Sequence, residues 1–346
     1  MTDGVPQLVP VLPNHRFDAQ RLAEYLAAHL PGFAGACEVR QFQGGQSNPT
    51  FHLRAGERQY VLRKKPPGTL LPSAHAVDRE YRVMRALRGS DVPVPEVLLL
   101  CADESVIGTM FYVMEYLPGR IFADAGLPTL APDHRAAIYD DMGRVLAALH
   151  AIDWRAAGLE GFGRPAGYIG RQIERWSRQY AAVRLDAEPA MDRLMAWLQA
   201  HAPVAEETAI AHGDFRIGNL VVHPTEPRVI GVLDWELATL GHPLADLAYN
   251  CLYWHLPPAL RGIEGVEVAG IPTEAGYVRA YCRRTGRDGV PDLAFFIAFS
   301  LFRWSAIAAG VYRRALDGNA ADAHGKESGA KFRTLAEIGW RIAQGA

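Results

Sequence analysis

Net charge is nearly absent from this sequence: 36 Lys and Arg stand against 38 Asp and Glu, a formal charge of -2. That balance gives no global reason to expect a nucleic-acid partner. Cysteine is scarce, and Cys37, Cys101, Cys251 and Cys282 form no C-x-x-C pair. A chain of 346 residues can bury a large core without staples, so reduced thiols in a cytoplasmic protein are expected. The stretch MTDGVPQLVPVLPNH lacks the basic start and apolar run of a signal peptide. Long apolar runs are missing except one, from Leu293 to Val311. Arg303 inside it and Arg313-Arg314 after it predict a buried helix of a globular protein, with no membrane partner. Neither GxGxxG nor GxxxxGK[ST] occurs, which removes dinucleotide-binding and P-loop folds. No repeat is visible, and nothing marks the oligomeric state.

What the chain does carry is concentrated between Ala211 and Leu247, AHGDFRIGNLVVHPTEPRVIGVLDWELATLGHPLADL. Asn219 to His223 and Val229 to Asp234 are short apolar runs separated by Pro224-Thr225-Glu226-Pro227, which predicts a β-hairpin with a longer loop. Pairing Val222 and His223 with Val229 and Ile230 sets Asn219 opposite Leu233 and diagonal to Asp234. Such positions lie about 5 to 8 Å apart, within reach of one cation. A carboxylate and an amide oxygen suit Mg²⁺, a hard ion that takes further ligands from water and phosphates. Asp214, on the loop just before the hairpin, could accept or orient the proton of a substrate hydroxyl. Each of the three alone reads more readily as a turn or strand-end residue. Together, at this spacing, they point to phosphoryl transfer.

His-Gly-Asp-Phe-Arg-Ile-Gly-Asn followed by Asp234-Trp235-Glu236 resembles the aminoglycoside phosphotransferase and choline kinase family, a branch of the protein-kinase-like fold. Protein kinases carry His-Arg-Asp and Asp-Phe-Gly, and both departures here are those of the small-molecule branch. The resemblance implies Asp214 as catalytic base, with Arg216 grouped beside it, and Asn219 and Asp234 as Mg²⁺ ligands. It also implies an α+β fold of two lobes, a small β-rich N-lobe and a larger helical C-lobe, with ATP between them.

Taken in order, Pro6, Pro10 and Pro13 predict an extended arm, and Phe17 to Leu30 a short helix. Strands at Val39 to Phe42 and Thr50 to Arg54 flank Gly44-Gly45-Gln46-Ser47-Asn48-Pro49, either a plain hairpin turn or a loop offering backbone N–H groups to phosphates. In the family a loop here covers the ATP phosphates, which makes Gly45, Ser47 and Asn48 cofactor-binding candidates. The next strand, QYVLRK, precedes a helix from Ala76 to Arg88 whose apolar stripe includes Glu80. An inward acid needs a cation, and Arg63 and Lys64 are the candidates. Alignment to the family matches Arg63 with the phosphate-contacting lysine and Glu80 with its partner. Lys64 stays in reserve, and a purely structural salt bridge is the other reading. Strands at Val94 to Cys101 and Met110 to Leu117 close the small lobe. The family's inter-lobe linker falls here, so the backbone of Glu115 and Tyr116 is expected at the adenine. The expected division is 1–116 as nucleotide-binding lobe and 117–346 as helical catalytic lobe. In the latter, His150 reads as a packed histidine and Asp246 as an anchor of the catalytic loop.

The reaction so implied is Mg²⁺-dependent transfer of the ATP γ-phosphoryl group to a small-molecule hydroxyl. A nucleotide-binding pseudokinase, or a metal-dependent hydrolase using Asp214, Asp234 and Glu236, are readings from other classes. For the acceptor, Arg171, Arg175, Arg178, Arg303 and Arg216 favour an anion over the cationic aminoglycosides or choline. VLRKKPPGTLLPSAHAVDREYRV and HGDFRIGNLVVHP are similar to kinase-like domains fused to acyl-CoA dehydrogenases. A hydroxy acid or hydroxyacyl-CoA is therefore the expected acceptor.

Overall fold

Alternation along three neighbouring strands decides which side chains meet the core and which meet the site. In the computed structural model, which describes residues 4, 6–43, 48–66, 76–184, 186–317 and 325–345, the first strands are β1 (Leu8–Val9), β2 (Glu38–Phe42), β3 (Thr50–Ala55) and β4 (Arg58–Lys64). With β5 (Val97–Cys101) and β6 (Phe111–Glu115) they form a six-stranded antiparallel sheet in the order β1-β2-β3-β4-β6-β5. Phe51, Leu53, Leu62, Phe111 and Val113 are buried on one face against Leu22 and Leu26 of helix α1 (Ala19–His29). Successive strand residues point to opposite faces. Thr50, Val61, Arg63, Tyr112 and Met114 therefore face the other way, where they line a cavity. Full burial of each leucine stabilises this lobe by roughly 1.5–3 kcal/mol. Asp18 caps α1 by accepting a hydrogen bond from the Arg21 N–H at 3.0 Å.

Helix α2 (Val77–Leu87) buries Val77, Glu80, Val83, Met84 and Leu87 at helical spacing. The chain divides by contacts into two units, one of Met1–Ala123, Ala157–Leu159 and Ile217–Ala238, the other of Asp124–Ala156, Glu160–Arg216 and Thr239–Ala346. This differs from a single boundary near Tyr116, for a reason visible in the backbone. After β7 (Ala209–Ala211), a strand of the second unit, come β8 (Leu220–Val222) and β9 (Val229–Val232). Arg120 N donates to Val222 O at 2.7 Å and Val232 N to Pro93 O at 2.8 Å, which ties this hairpin to the first unit. Its register is the expected one at the open end, with Leu220 opposite Val232 and Leu233 N donating to Asn219 O at 2.8 Å. Towards the turn a bulge brings Val222 opposite Val229.

The second unit is mostly helical, with β10 (Thr239–Gly241) pairing antiparallel to β7. Its helices are α3 (Pro132–Ala151), α4 (Tyr168–Val183), α5 (Pro189–Ala200), α6 (Pro243–Cys251), α7 (Glu274–Thr285), α8 (Leu293–Leu316), α9 (Gly325–Ala330) and α10 (Phe332–Gln344). Helix α8 is long and apolar enough to cross a membrane by composition, yet 78% of its most apolar window is buried inside the unit. It is the core helix that Arg303 within the run predicts, packed on α4, α5, α6, α9 and α10. All four cysteines are free thiols, three of them buried.

Candidate functional site

Arg63 of β4 is the centre of the first unit's charged cluster. Its Nε lies 2.9 Å from Glu80 Oε2, an ion pair without hydrogen-bond alignment, and its Nη2 lies 2.6 Å from Asp234 Oδ1 and 3.5 Å from Glu236 Oε2. Glu80 also accepts from Asn48 Nδ2 at 2.7 Å and from the Tyr112 hydroxyl at 3.0 Å. Burial is the largest influence on both partners of the central pair. It pushes the Glu80 carboxyl up, with Arg63 opposing. On Arg63 burial opposes the charge, but Glu80, Tyr112, Asp234 and Glu236 outweigh it and raise the guanidinium further. One cation thus faces three carboxylates.

The cluster stands at one end of a cavity of about 300 Å³, lined wholly by residues of the first unit. Val61, Met84, Met114, Ile121, Val221 and Leu233 supply apolar wall, and Glu115 and Tyr116 also line it. Arg63 is paired with Tyr112 across the ladder, while Tyr60 is paired with Glu115. The charged end and the Glu115 end are thus about 10 Å apart at some 3.3 Å per residue. Asn219 and Asp234 both border the cavity. Asp234 has φ 66 and ψ 57, a left-handed conformation that carbon-branched side chains rarely hold and that often marks functional sites. Among the described residues no group of three His, Cys, Asp or Glu side chains could hold a metal by itself. A carboxylate with an amide oxygen beside it is instead a partial, all-oxygen donor set. Mg²⁺ is commonly held this way, with phosphates and water completing its shell.

Asp214 lies in the second unit, on the loop that follows β7. Here side chains grip backbone. Asp246 of α6 accepts from His212 N at 2.6 Å and Gly213 N at 2.8 Å, Arg303 of α8 donates to Gly213 O, and Asn250 donates to Phe215 O at 3.2 Å. These bonds satisfy buried peptide groups that an irregular loop would otherwise leave costly. Gly213 has φ 82, where a residue with a Cβ would be strained. Burial alone would raise the Asp246 carboxyl, but the nearby His150 ring, 3.5 Å away, with His212 and the Gly213 N–H, brings it below the usual carboxylate range. His150 is held in turn at 2.7 Å from the Tyr281 hydroxyl. Asp214 itself meets Arg216 Nε at 3.3 Å and the Tyr249 hydroxyl. Burial, then the Asp214 charge, keep that phenol protonated far above its usual range.

The structure brings Arg63, and not Lys64, to Glu80. Lys64 points to the α1 face, its Nζ 5.9 Å from the Phe17 ring centroid, and burial lowers its pKa. Asn48 is buried with its amide committed to Glu80, so its contact is with the anchor of the cation. Gly45 and Ser47 lie outside the described residues. The arginines expected around an acceptor are mostly engaged within the protein. Arg171 donates to the carbonyls of Ala166 and Arg164, Arg178 pairs with Glu174, Arg175 lies over Trp176, and Arg303 holds the Gly213 carbonyl. Sequence reading missed Tyr112 and Tyr249. A tyrosine in an apolar strand or helix carries no local signal of the carboxylate it will meet.

The sequence matches the profile of the phosphotransferase enzyme family over residues 38–293. It is 47% identical over 346 residues to mouse acyl-CoA dehydrogenase family member 10, covering 98% of this chain and 32% of that protein. The chain thus spans about a third of that relative's length. A crystal structure of a candidate aminoglycoside phosphotransferase from Ralstonia eutropha is 48% identical, with a TM-score of 0.88 over 96% of this chain and 99% of that one. A thermostable mutant of an aminoglycoside phosphotransferase, crystallised with AMP-PNP and hygromycin B, shares the fold at 19% identity, with a TM-score of 0.63 over 95% of this chain and 100% of that one. The kinase-like α+β fold and the likeness to acyl-CoA dehydrogenase relatives are both borne out. This chain belongs to the phosphotransferase enzyme family.

Proposed function

We propose that the protein transfers the γ-phosphoryl group of ATP, with Mg²⁺, to the hydroxyl of a hydroxy acid or hydroxyacyl-CoA. The observation that carries the nucleotide part is the cavity with Arg63, anchored by Glu80, at one end and Asn219 and Asp234 on its border. Arg63 is fixed in place by these carboxylates, and the side of its guanidinium that they leave open would meet phosphate oxygens. Asp234 and Asn219 would hold Mg²⁺, which would supply positive charge against that of the phosphates. Asp214 orients the acceptor hydroxyl and takes its proton, on a loop whose neighbouring peptide groups at His212, Gly213 and Phe215 are held by Asp246, Arg303 and Asn250. Arg216, 42% exposed beside Asp214, lends positive charge there. The nucleotide carried by that aminoglycoside phosphotransferase, a protein of the same fold, supports ATP as donor.

For the acceptor, the engaged arginines contribute less than their number suggests; Arg175 and Arg178 are exposed and Arg216 is half-buried beside Asp214. The stronger support is the kinship with a protein named for acyl-CoA dehydrogenation. A hydroxyl phosphorylated on an acyl chain becomes a leaving group. The test is to offer hydroxyacyl-CoAs, free hydroxy acids, choline and kanamycin side by side with Mg·ATP, and to identify phosphorylated products by mass spectrometry. Product from the acyl substrates is expected. Turnover with kanamycin or choline alone would overturn the anionic acceptor.

A further inference from the structure

Nothing in the reading above uses the arm at the start of the chain, yet Pro6 lines the cavity. The arm is tied down along its length. Leu8 and Val9 pair with Phe42 and Gln41, and Gln43 N donates to Gln7 O at 2.9 Å. Farther on, the Gln41 side chain accepts from Leu12 N at 3.1 Å. Before these contacts, Ile121 N donates to Gly4 O at 2.7 Å. The anchors fall at two different places around the cavity. Phe42 and Gln43 end β2, whose pairing with β3 continues to the row of Thr50, Arg63 and Tyr112. Ile121 lies just past Glu115 and Tyr116 along the chain. A segment joining these anchors spans from the charged end towards the Glu115 end.

A nucleotide has the same order, with phosphates at one end, base at the other and sugar between. We infer that Gly4 and residues 6–9 anchor a nucleotide-positioning strap, with Pro6 packed against the sugar of bound ATP; this rests on the cavity being the nucleotide site. Proline suits such a wall, because its ring is rigid and apolar and its nitrogen brings no N–H to be satisfied. Gly4 is what lets the strap seat. Its φ is 81, and a Cβ there would stand 2.9 Å from Arg120 Cβ. Pro6 is thus a positioning residue for the donor.

The test uses the full chain, with Gly4→Val to unseat the strap and Pro6→Ala to thin its wall. Mg·ATP affinity is measured by calorimetry and melting temperature is taken without nucleotide. Gly4→Val is expected to weaken ATP at least about fivefold and Pro6→Ala about twofold, since each removes apolar contact with the ligand. The nucleotide-free melting temperature of Pro6→Ala should stay at the wild-type value. Should both variants bind ATP as the wild type does, the strap is overturned. A lowered nucleotide-free melting temperature with unchanged affinity would equally make the arm a matter of stability alone. A wild type that binds no ATP would overturn the nucleotide reading itself, a result distinct from either.

Discussion

Asp234 and Asp214 sit in opposite kinds of surroundings. Asp234 is bound side chain to side chain, 2.6 Å from Arg63, which is 171 residues away in sequence and is itself buried against Glu80. Around Asp214 the strong bonds go to backbone instead, at His212, Gly213 and Phe215, from Asp246, Arg303 and Asn250. The difference follows from what each region has to present. On the proposed function, phosphate and metal would be met by a fixed pattern of charge, and the charges hold one another. The loop that carries Asp214 is gripped through its peptide groups, while the carboxylate itself meets Arg216 and the Tyr249 hydroxyl.

The largest expected effect is at Asp214. Asp214→Asn should lower turnover by about 10² to 10⁴, the usual contribution of a positioned base, at saturating ATP. Product formed at the wild-type rate would remove Asp214 from the chemistry. Next comes its frame. Asp246→Asn replaces one of two acceptor oxygens with a donor opposite buried N–H groups, which costs about 1–3 kcal/mol in urea unfolding. Stability equal to wild type would mean that the loop does not depend on those bonds. In the first region, Arg63→Lys and Glu80→Gln should each weaken ATP binding about tenfold, with a coupling energy of about 0.5–3 kcal/mol in the double variant. Strict additivity would dissolve the pair.

The smallest effect concerns pH. His242, buried at the start of α6, accepts the Leu244 N–H on Nδ1, a role only the neutral ring can fill. Burial lowers its pKa from 6.5, so below that pH the unfolded chain binds the proton more readily than the folded one. Stability should therefore fall as pH drops below 6.5, by at most about 1.4 kcal/mol per pH unit until the folded ring titrates. His242→Asn should flatten that slope between pH 6.5 and 5. An unchanged slope would assign the dependence elsewhere.

Much of this was legible in the sequence wherever the signal is short-range. Asp214, Asn219 and Asp234 share one segment, and the alternation of two apolar runs fixes the hairpin register at its open end. Period-two alternation separates Arg63 from Lys64, but only the fold brings Glu80 to one of them. The expected role of Arg303 did not survive, because sequence counts charges without their partners: its guanidinium is buried against a carbonyl 90 residues away. That Asn48, expected at the phosphates, also hydrogen-bonds Glu80 was hidden for the same reason. The arm at Pro6 read only as extended, since a cavity wall assembled from distant strands leaves no pattern in any one of them.

Calorimetric titration of Mg·ATP into the wild type, Asp214→Asn and Asp234→Ala tests the division between the two regions most directly. Asp214→Asn should bind within about threefold of wild type, while Asp234→Ala should lose at least about tenfold, since one removes a group that meets the acceptor and the other a metal ligand. Affinity kept in Asp234→Ala and lost in Asp214→Asn would contradict the assignment of nucleotide to the first region and chemistry to the second.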